Sequence, residues 1–135
     1  VSLREAWDDD NAMAYMGTVV PGFPNFFILY GPNLQPGHGG SLIFVVEMQV
    51  RYIMDMLRKM ADNGIGAVEV RDDVAREHED MVWTHPGMTT YYRNDRGRIT
   101  INSPYRNVDF YAMTKQVDLD EYVTEPLKQG ELVAD

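Results

Sequence analysis

The stretch Phe26-Phe27-Ile28-Leu29-Tyr30 decides the fold, because it is apolar at five successive positions and a glycine-rich turn follows it closely. A short segment with apolar side chains on both faces is typical of a strand in the middle of a parallel sheet that is covered on both sides. We therefore predict one buried parallel strand at residues 26–30. The chain contains no second segment of this kind, so the neighbouring strands would come from another subunit or from a larger protein.

A long helix is predicted directly after the turn Gly37-His38-Gly39-Gly40-Ser41. Serine is a favoured N-cap residue and Asn63-Gly64 offers a left-handed stop, so the helix is expected to begin near Ser41 and to end at this pair. Residues 42–46 are apolar on every side of the helix, which predicts burial all round. Further along, the residues that we expect to face the core recur with the helical period. They are Val50, Ile53, Met54, Leu57 and Met60.

The order of strand, glycine-rich turn and helix also favours ligand contact. It directs backbone N–H groups and the positive end of the helix dipole toward the space beyond the strand, where an anionic or carbonyl-bearing ligand is stabilised. A glycine-rich turn on its own is equally typical of a simple tight reversal, and its position between these two elements is what favours a ligand. It is not a Walker loop, because no lysine follows the glycines.

Smaller elements are predicted in the second half of the chain. Residues 67–71 alternate as a short strand with Val68 and Val70 on one face, and a second helix follows from Asp72 to about Met81. A small β-hairpin is expected next, because two alternating segments flank a turn with glycine at its end. Its strands are residues 89–93 and 98–101, and its turn is residues 94–97.

Short helical segments are predicted to complete the chain. Ser103-Pro104 is a cap followed by proline, a pattern that opens a helix, here with Val108, Tyr111 and Ala112 on one side. Asp118 resembles the cap of a last short turn. The polar tail from Glu125 is expected to fray. The fold class is therefore α/β.

Composition and charge exclude several classes of function. The 135 residues suit one domain, and the net charge of −9 argues against nucleic acid and against anionic membrane surfaces as partners. The chain has no cysteine, so it has no disulfide and no thiolate nucleophile. Its histidines lack metal-ligand spacing to one another, and no segment is long and apolar enough to span a membrane. No signal peptide is visible, so we expect a cytoplasmic protein.

Ordered motifs along nearly the whole chain resemble the C-terminal third of flavin-dependent Baeyer–Villiger monooxygenases, with the 4-hydroxyacetophenone monooxygenase-like branch as the nearest. The first motifs are GFPNFFILYGPN at residues 22–33, GHGGSLIF at 37–44 and EMQVRYI at 47–53. The later ones are Trp83, YYRN at residues 91–94, Gly97-Arg98, Asn102-Ser103-Pro104 and residues 109–111.

This resemblance implies the C-terminal part of a flavoprotein with two dinucleotide-binding domains. Residues 1–65 would be the end of the FAD-binding domain, and residues 66–135 a C-terminal extension of hairpin and helices. Such enzymes insert oxygen from O2 into ketones, using FAD and NADPH. The chain lacks the two G-x-G-x-x-G fingerprints and the F-x-G-x-x-x-H-x-x-x-W signature of the family, and the catalytic arginine would also lie upstream. We therefore expect no catalytic residue in this chain, no tight FAD binding and no activity on its own.

The resemblance also implies which residues form a wall of the flavin site. The first group, residues 31–33, lies where the last strand of the FAD domain ends beside the flavin. The second group, residues 39–42, would place backbone amides and one apolar side chain near the isoalloxazine ring. The cofactor-binding residues are Gly31, Pro32, Asn33, Gly39, Gly40, Ser41 and Leu42. Tyr91 falls at a position associated with the nicotinamide and substrate pocket. Either the missing N-terminal portion or a second copy would be the partner.

An alternative from a different class stays open at this point. The chain would then be a stand-alone interaction or oligomerisation module that has inherited this shape and binds no flavin. Flavin absorbance and oligomeric state of the purified chain separate the two hypotheses.

Overall fold

The computed structural model describes residues 1–36, 39–84 and 94–128. This part of the chain contains helices and two short strands, in agreement with the predicted mixed class. The helices are α1 (Leu3–Ala6), α2 (Leu42–Asn63), α3 (Asp72–Thr84) and α4 (Asn107–Met113), with a 3-10 turn at Leu119–Glu121, and the strands are β1 (Ile65–Val70) and β2 (Tyr122–Pro126).

The predicted bounds of the long helix are confirmed. Helix α2 starts after Ser41, whose backbone is extended, and stops at Gly64, which adopts the left-handed conformation with φ of 62°. A left-handed residue ends a helix because it redirects the chain, and glycine does so without steric cost.

The buried face of α2 differs from the prediction. The residues of α2 that are buried are Val45, Gln49, Tyr52, Met56 and Met60. Val50, Met54 and Leu57 were expected to face the core, but they are exposed, Met54 to 55%. Ile43 is 69% exposed, so the prediction of burial all round for residues 42–46 is wrong. The helix carries two apolar faces, and the described residues cover one of them.

Strands β1 and β2 form an antiparallel pair against α2. Val68 pairs with Thr124 and Val70 with Tyr122, and both valines are buried as predicted. The Tyr122 hydroxyl lies 2.7 Å from that of Tyr52 on α2, which anchors the second strand to the helix. The prediction of a frayed tail from Glu125 is therefore wrong at its start, because Glu125 pairs with Ala67. Residues 129–135 lie outside the described residues.

The predicted parallel strand at residues 26–30 is not formed. Phe27 makes one isolated antiparallel bridge to Val19, and Leu29 is 50% exposed. Tyr30 has a φ of 53°, which no strand residue adopts. The physical reason is that a buried parallel strand needs neighbours on both edges, and the described residues supply none. The preceding segment pairs instead with the edge of β1, where Asn25 N donates to Val68 O at 3.0 Å.

The hairpin prediction is confirmed only at its turn. Gly97 N donates to Asn94 O at 2.8 Å, and Gly97 has the expected positive φ of 78°. Residues 89–93 lie outside the described residues. Residues 98–101 form no regular strand, because this segment follows residues 33–35 instead: Gln35 N donates to Ile101 O at 2.9 Å.

The two short helical segments near the end of the chain also test the predictions. Helix α4 begins at Asn107, three residues after Pro104, and buries Phe110, whereas Val108 is 65% exposed. The predicted start is therefore wrong. The side with Val108 and Tyr111 is exposed, because the large apolar ring of Phe110 packs into the core instead. The predicted cap at Asp118 is confirmed by its hydrogen bond from Asp120 N at 3.0 Å.

Candidate functional site

The first group of predicted cofactor residues begins at a glycine packed against another glycine. A Cβ atom at Gly31 would lie 2.4 Å from Gly17 O and 2.6 Å from Ile28 Cδ1. Gly17 has a φ of +60°, and a Cβ there would lie 2.4 Å from Leu34 Cγ. Real Cβ atoms do not approach other atoms this closely, so neither position accepts a side chain without movement of the backbone. The path of the chain through Gly31 is thus set by close packing.

Asn33 is held by hydrogen bonds within the chain. Its φ is 60°, a conformation that asparagine tolerates better than most residues. Its side-chain Nδ2 donates to Ile99 O at 2.6 Å and to Asn102 O at 3.3 Å, and its backbone N donates to Thr100 O at 3.0 Å. The amide of Asn33 therefore holds the segment after the hairpin turn against the predicted cofactor wall.

Gln49 also belongs with this group, and it was not among the residues predicted from the sequence. It lies on the core face of α2 and is fully buried, at 0% exposure. Its Oε1 accepts a hydrogen bond from Tyr30 N at 2.7 Å. Its Nε2 donates to Gly17 O at 2.9 Å, to Thr18 Oγ1 at 2.9 Å and to Ile28 O at 3.1 Å. The signal in the sequence was its place on the same helix face as Val45, four positions before it, and Tyr52, three positions after it.

The second group of predicted residues forms the start of α2. Gly39 and Gly40 have φ values of +82° and +130°, and a Cβ at Gly39 would meet open space, whereas one at Gly40 would lie 2.7 Å from Asn107 Nδ2. Ser41 occupies the N-cap position, but its side chain makes no capping hydrogen bond. The first N–H groups of a helix have no partner within the helix, so those of α2 stay available for an external acceptor. Leu42 presents an exposed apolar side chain beside them.

Three of the seven predicted cofactor residues line cavities, and these belong to two separate cavities. Gly31 and Pro32 line one of about 410 Å³, together with Tyr30 and others. Gly39 lines a second one of about 500 Å³, together with residues that include Asn107. Asn33, Gly40, Ser41 and Leu42 line neither of these two. Tyr91 lies outside the described residues.

Charge near the second cavity is largely balanced. Arg106, which lines it, makes a bidentate contact with Asp109, at 2.7 Å from Nε and 2.9 Å from one of the terminal nitrogens. This pairing lowers the pKa of the Asp109 carboxyl. In the part of the chain that the structure describes, no group of three or more histidine, cysteine or carboxylate side chains is arranged to hold a metal ion. Likewise, no helix of these residues has the length and apolarity to cross a lipid bilayer.

A buried histidine connects the second cavity to the core. His78 Nε2 accepts a hydrogen bond from Met16 N at 3.2 Å and also contacts the hydroxyl of Tyr105, which lines the cavity. Because Met16 N–H donates to Nε2, that nitrogen carries no proton and Tyr105 is the donor. Burial lowers the pKa of His78 to about 4 and raises the pKa of Tyr105. Both groups are therefore neutral at physiological pH and serve as fixed hydrogen-bonding groups.

Comparison with known proteins reveals similarity to monooxygenases, although no family model matches the chain. It is 49% identical over 133 residues to the "Uncharacterized monooxygenase y4iD" of Sinorhizobium fredii, covering 93% of this chain and 20% of that protein. It is 33% identical over 136 residues to a Baeyer–Villiger monooxygenase of Pseudomonas aeruginosa, covering 93% of this chain and 25% of that protein. An FAD-binding monooxygenase of Aspergillus niger, ktnD, is 34% identical over 134 residues, which are 90% of this chain and 22% of that protein.

These relatives are monooxygenases. The chain spans between a fifth and a quarter of the length of the three relatives named above. Solved structures agree on the fold. The open crystal structure of cyclohexanone monooxygenase matches with a TM-score of 0.73 at 20% identity, over 93% of this chain and 23% of that one. The complex of OTEMO with FAD and NADP matches with a TM-score of 0.72 at 21% identity, over 93% of this chain and 25% of that one. The fold is thus that of about one quarter of these proteins.

Proposed function

We propose that this chain is the C-terminal portion of a Baeyer–Villiger monooxygenase and forms one wall of its flavin site. The observation that carries the proposal is the similarity to such an enzyme at 33% identity over 93% of the chain. Residues 1–65 would end the FAD-binding domain, and residues 66–135 would extend it. The proposal includes the 4-hydroxyacetophenone monooxygenase-like branch, a ketone as the substrate and a cytoplasmic location.

The start of α2 fits a flavin on grounds of geometry and charge. A 22-residue helix places partial positive charge at its N-terminus, which stabilises negative charge on the N1–C2=O edge of a reduced flavin ring. Gly39 and Gly40 carry no side chain that would keep the ring away, and the Ser41 side chain does not occupy the N–H groups. Bound FAD would supply the chemistry, activating O2 after reduction by NADPH. The residues of this chain would orient the ring and exclude water from one side of it.

Gly31, Pro32 and Asn33 would form the other part of the wall. Gly31 would set the path of the backbone in this part of the wall, because it packs closely against Gly17. Asn33 would act by keeping the backbone in place, since its amide is already bonded to Ile99 and Asn102. Tyr91 would face the nicotinamide and substrate.

Exposed apolar surfaces support a partner for this chain. Phe26, Leu29 and Tyr30 are exposed in one segment, and the outer face of α2 exposes Ile43, Val50, Met54 and Leu57. Exposed apolar surfaces of this kind are typical of interfaces. We propose that the remaining part of a longer protein, several times the size of this chain, covers both surfaces. The 135-residue chain alone would then self-associate and hold no FAD tightly.

The alternative is a stand-alone oligomerisation module that binds no flavin, and the same exposed surfaces favour it. The two hypotheses differ in what covers these surfaces: a flavin-binding portion of one protein in the first case, and a second copy in the alternative.

One experiment separates them. The whole coding sequence that includes these residues is expressed, and the purified protein is assayed for flavin absorbance and for ketone-dependent NADPH oxidation. The proposal predicts about one FAD per protein and NADPH oxidation that yields ester. A colourless protein that forms stable oligomers would favour the module instead.

A further inference from the structure

We propose that Gln49 is a positioning residue of the flavin site, which fixes the path of residues 28–33 without touching the flavin. This inference rests on the function proposed above and extends it to a residue in the interior of the protein. It arises from the hydrogen bonds of one buried amide.

The burial of Gln49 needs a reason beyond packing. An amide taken out of water costs free energy unless its donors and its acceptor are satisfied. Its neighbours on the same helix face, Val45 and Tyr52, are buried and predominantly apolar. An apolar residue of similar size would pack there without any such requirement. The position therefore uses the amide for its hydrogen bonds.

The partners of Gln49 come from two segments that the amide joins. Nε2 donates to Gly17 O and Thr18 Oγ1 on one segment and to Ile28 O on the other, while Oε1 accepts from Tyr30 N on the second segment. A direct bond from Ile28 N to Thr18 O, at 2.9 Å, links the segments beside the amide. Gln49 thus ties both segments to the rigid helix α2, whose N-terminus is the other half of the proposed wall.

The bond to Tyr30 acts where the chain turns into the wall. Tyr30 is left-handed with a φ of 53°, a conformation that is strained for a residue with a side chain. Gly31 follows directly and packs against Gly17 O, another partner of the same amide. The hydrogen bond at Tyr30 N and the close packing at Gly31 together hold residues 31–33 in one place relative to the start of α2.

A site that controls reaction at a flavin needs this kind of support. Catalytic geometry must be held to within about half an ångström by surrounding groups. Without the amide, the strained backbone at Tyr30 is free to relax, and the wall moves relative to the helix. We expect the protein still to bind FAD but to lose coupling, that is, to oxidise NADPH without forming product.

The test uses the full-length protein that includes these residues. Gln49→Met keeps the size of the side chain and removes its hydrogen bonds. The control is Met56→Ala, because Met56 is equally buried two turns further along the same face and makes no hydrogen bond through its side chain. Flavin content, melting temperature, NADPH oxidation and product formation are measured for each protein.

Gln49→Met is expected to retain FAD and to lower the ratio of product formed to NADPH consumed by about tenfold. This is less than the roughly hundredfold loss of rate that a 1 Å misplacement of catalytic groups causes. Met56→Ala should melt at a lower temperature but keep the wild-type ratio. A wild-type ratio in Gln49→Met, with flavin bound, would overturn the inference and leave the proposed function intact. A wild-type protein without flavin would overturn both.

If Gln49→Met does not fold, Thr18→Val provides the test. It removes one partner of Nε2 and keeps the shape of the side chain, so the ratio should fall in the same direction by a smaller factor. An unchanged ratio in Thr18→Val would then count against the inference.

Discussion

Protonation of His78 should weaken the fold as the pH falls below neutrality. His78 is buried, and its Nε2 accepts hydrogen bonds from Met16 N and from the Tyr105 hydroxyl. Protonation places a hydrogen on this nitrogen, so both donors lose their acceptor while a charge is created in the interior. The perturbation is a change from pH 7 to pH 5, and the comparison variant is His78→Gln, whose side-chain oxygen can accept the same bonds but does not titrate.

The sign and size of the effect follow from the pKa of His78. Burial lowers it from 6.5 to about 4, so between these values the unfolded chain binds a proton that the folded chain does not. The contribution to the free energy of unfolding is complete above pH 6.5 and is lost as the pH falls toward 4. Each pH unit between the two pKa values changes the free energy of unfolding by about 1.4 kcal/mol. From pH 7 to pH 5 the wild type should therefore lose about 2 kcal/mol relative to His78→Gln.

Urea unfolding of both proteins at a series of pH values measures this difference. Glu121 and Tyr15 line a cavity with His78. Because burial raises the pKa of Glu121, protonation of its carboxyl stabilises the fold as the pH falls over part of the range, which opposes the effect of His78. Both proteins contain it, and the difference between them isolates His78. Equal pH dependence in the wild type and in His78→Gln would refute the reasoning, because the histidine would then titrate normally.

Three further perturbations test other parts of the structure. Gly31→Ala should lower the free energy of unfolding by roughly 1–3 kcal/mol, the usual cost of overpacking, since the new Cβ would meet Gly17 O at 2.4 Å; a neutral result in urea would mean that this contact yields easily. In the full-length protein, Gly40→Val should reduce the amount of bound FAD, because a φ of +130° disfavours any side chain and Asn107 occupies the space it needs. The control Ser41→Ala should keep its flavin. Equal flavin content in the two variants would show that the turn is only structural. Met54→Lys on the outer face of α2 should decrease light scattering by the 135-residue chain, and unchanged association would exclude this face as the contact.

The sequence was sufficient to predict the elements whose signals are local. Ser41 at the N-cap position and Asn63-Gly64 mark the two ends of α2, alternation marks β1, and Asp118 caps the last turn. Each of these depends on residues within a few positions of one another, so the pattern and the structure agree.

Burial was harder to predict, because it depends on what surrounds an element. The apolar character of residues 26–30 and of Met54 shows what these residues can bury, but the described residues do not cover them. Gln49 shows the opposite case, because a polar residue is buried where exposure would be expected. A polar residue in a helix usually faces solvent, and only the positions of Gly17 and Tyr30 in three dimensions reveal why this one lies inside.

The candidate site was predicted from resemblance more than from physical pattern. Glycines and a helix start pointed to a ligand, whereas a flavin was implied only by the order of motifs along the chain. The separation of Gly31 and Gly39 into two cavities could not be foreseen, because sequence spacing does not specify how the intervening residues fold.

Hydrogen exchange of the full-length protein, with and without FAD, shows whether residues of this chain contact the flavin. The flavin is removed, and amide exchange is compared before and after FAD is added back. We expect slower exchange at Gly31, at Asn33 and in the first turn of α2, Leu42 included, with little change in β1 and β2. Protection elsewhere in the protein but none at these residues would contradict it.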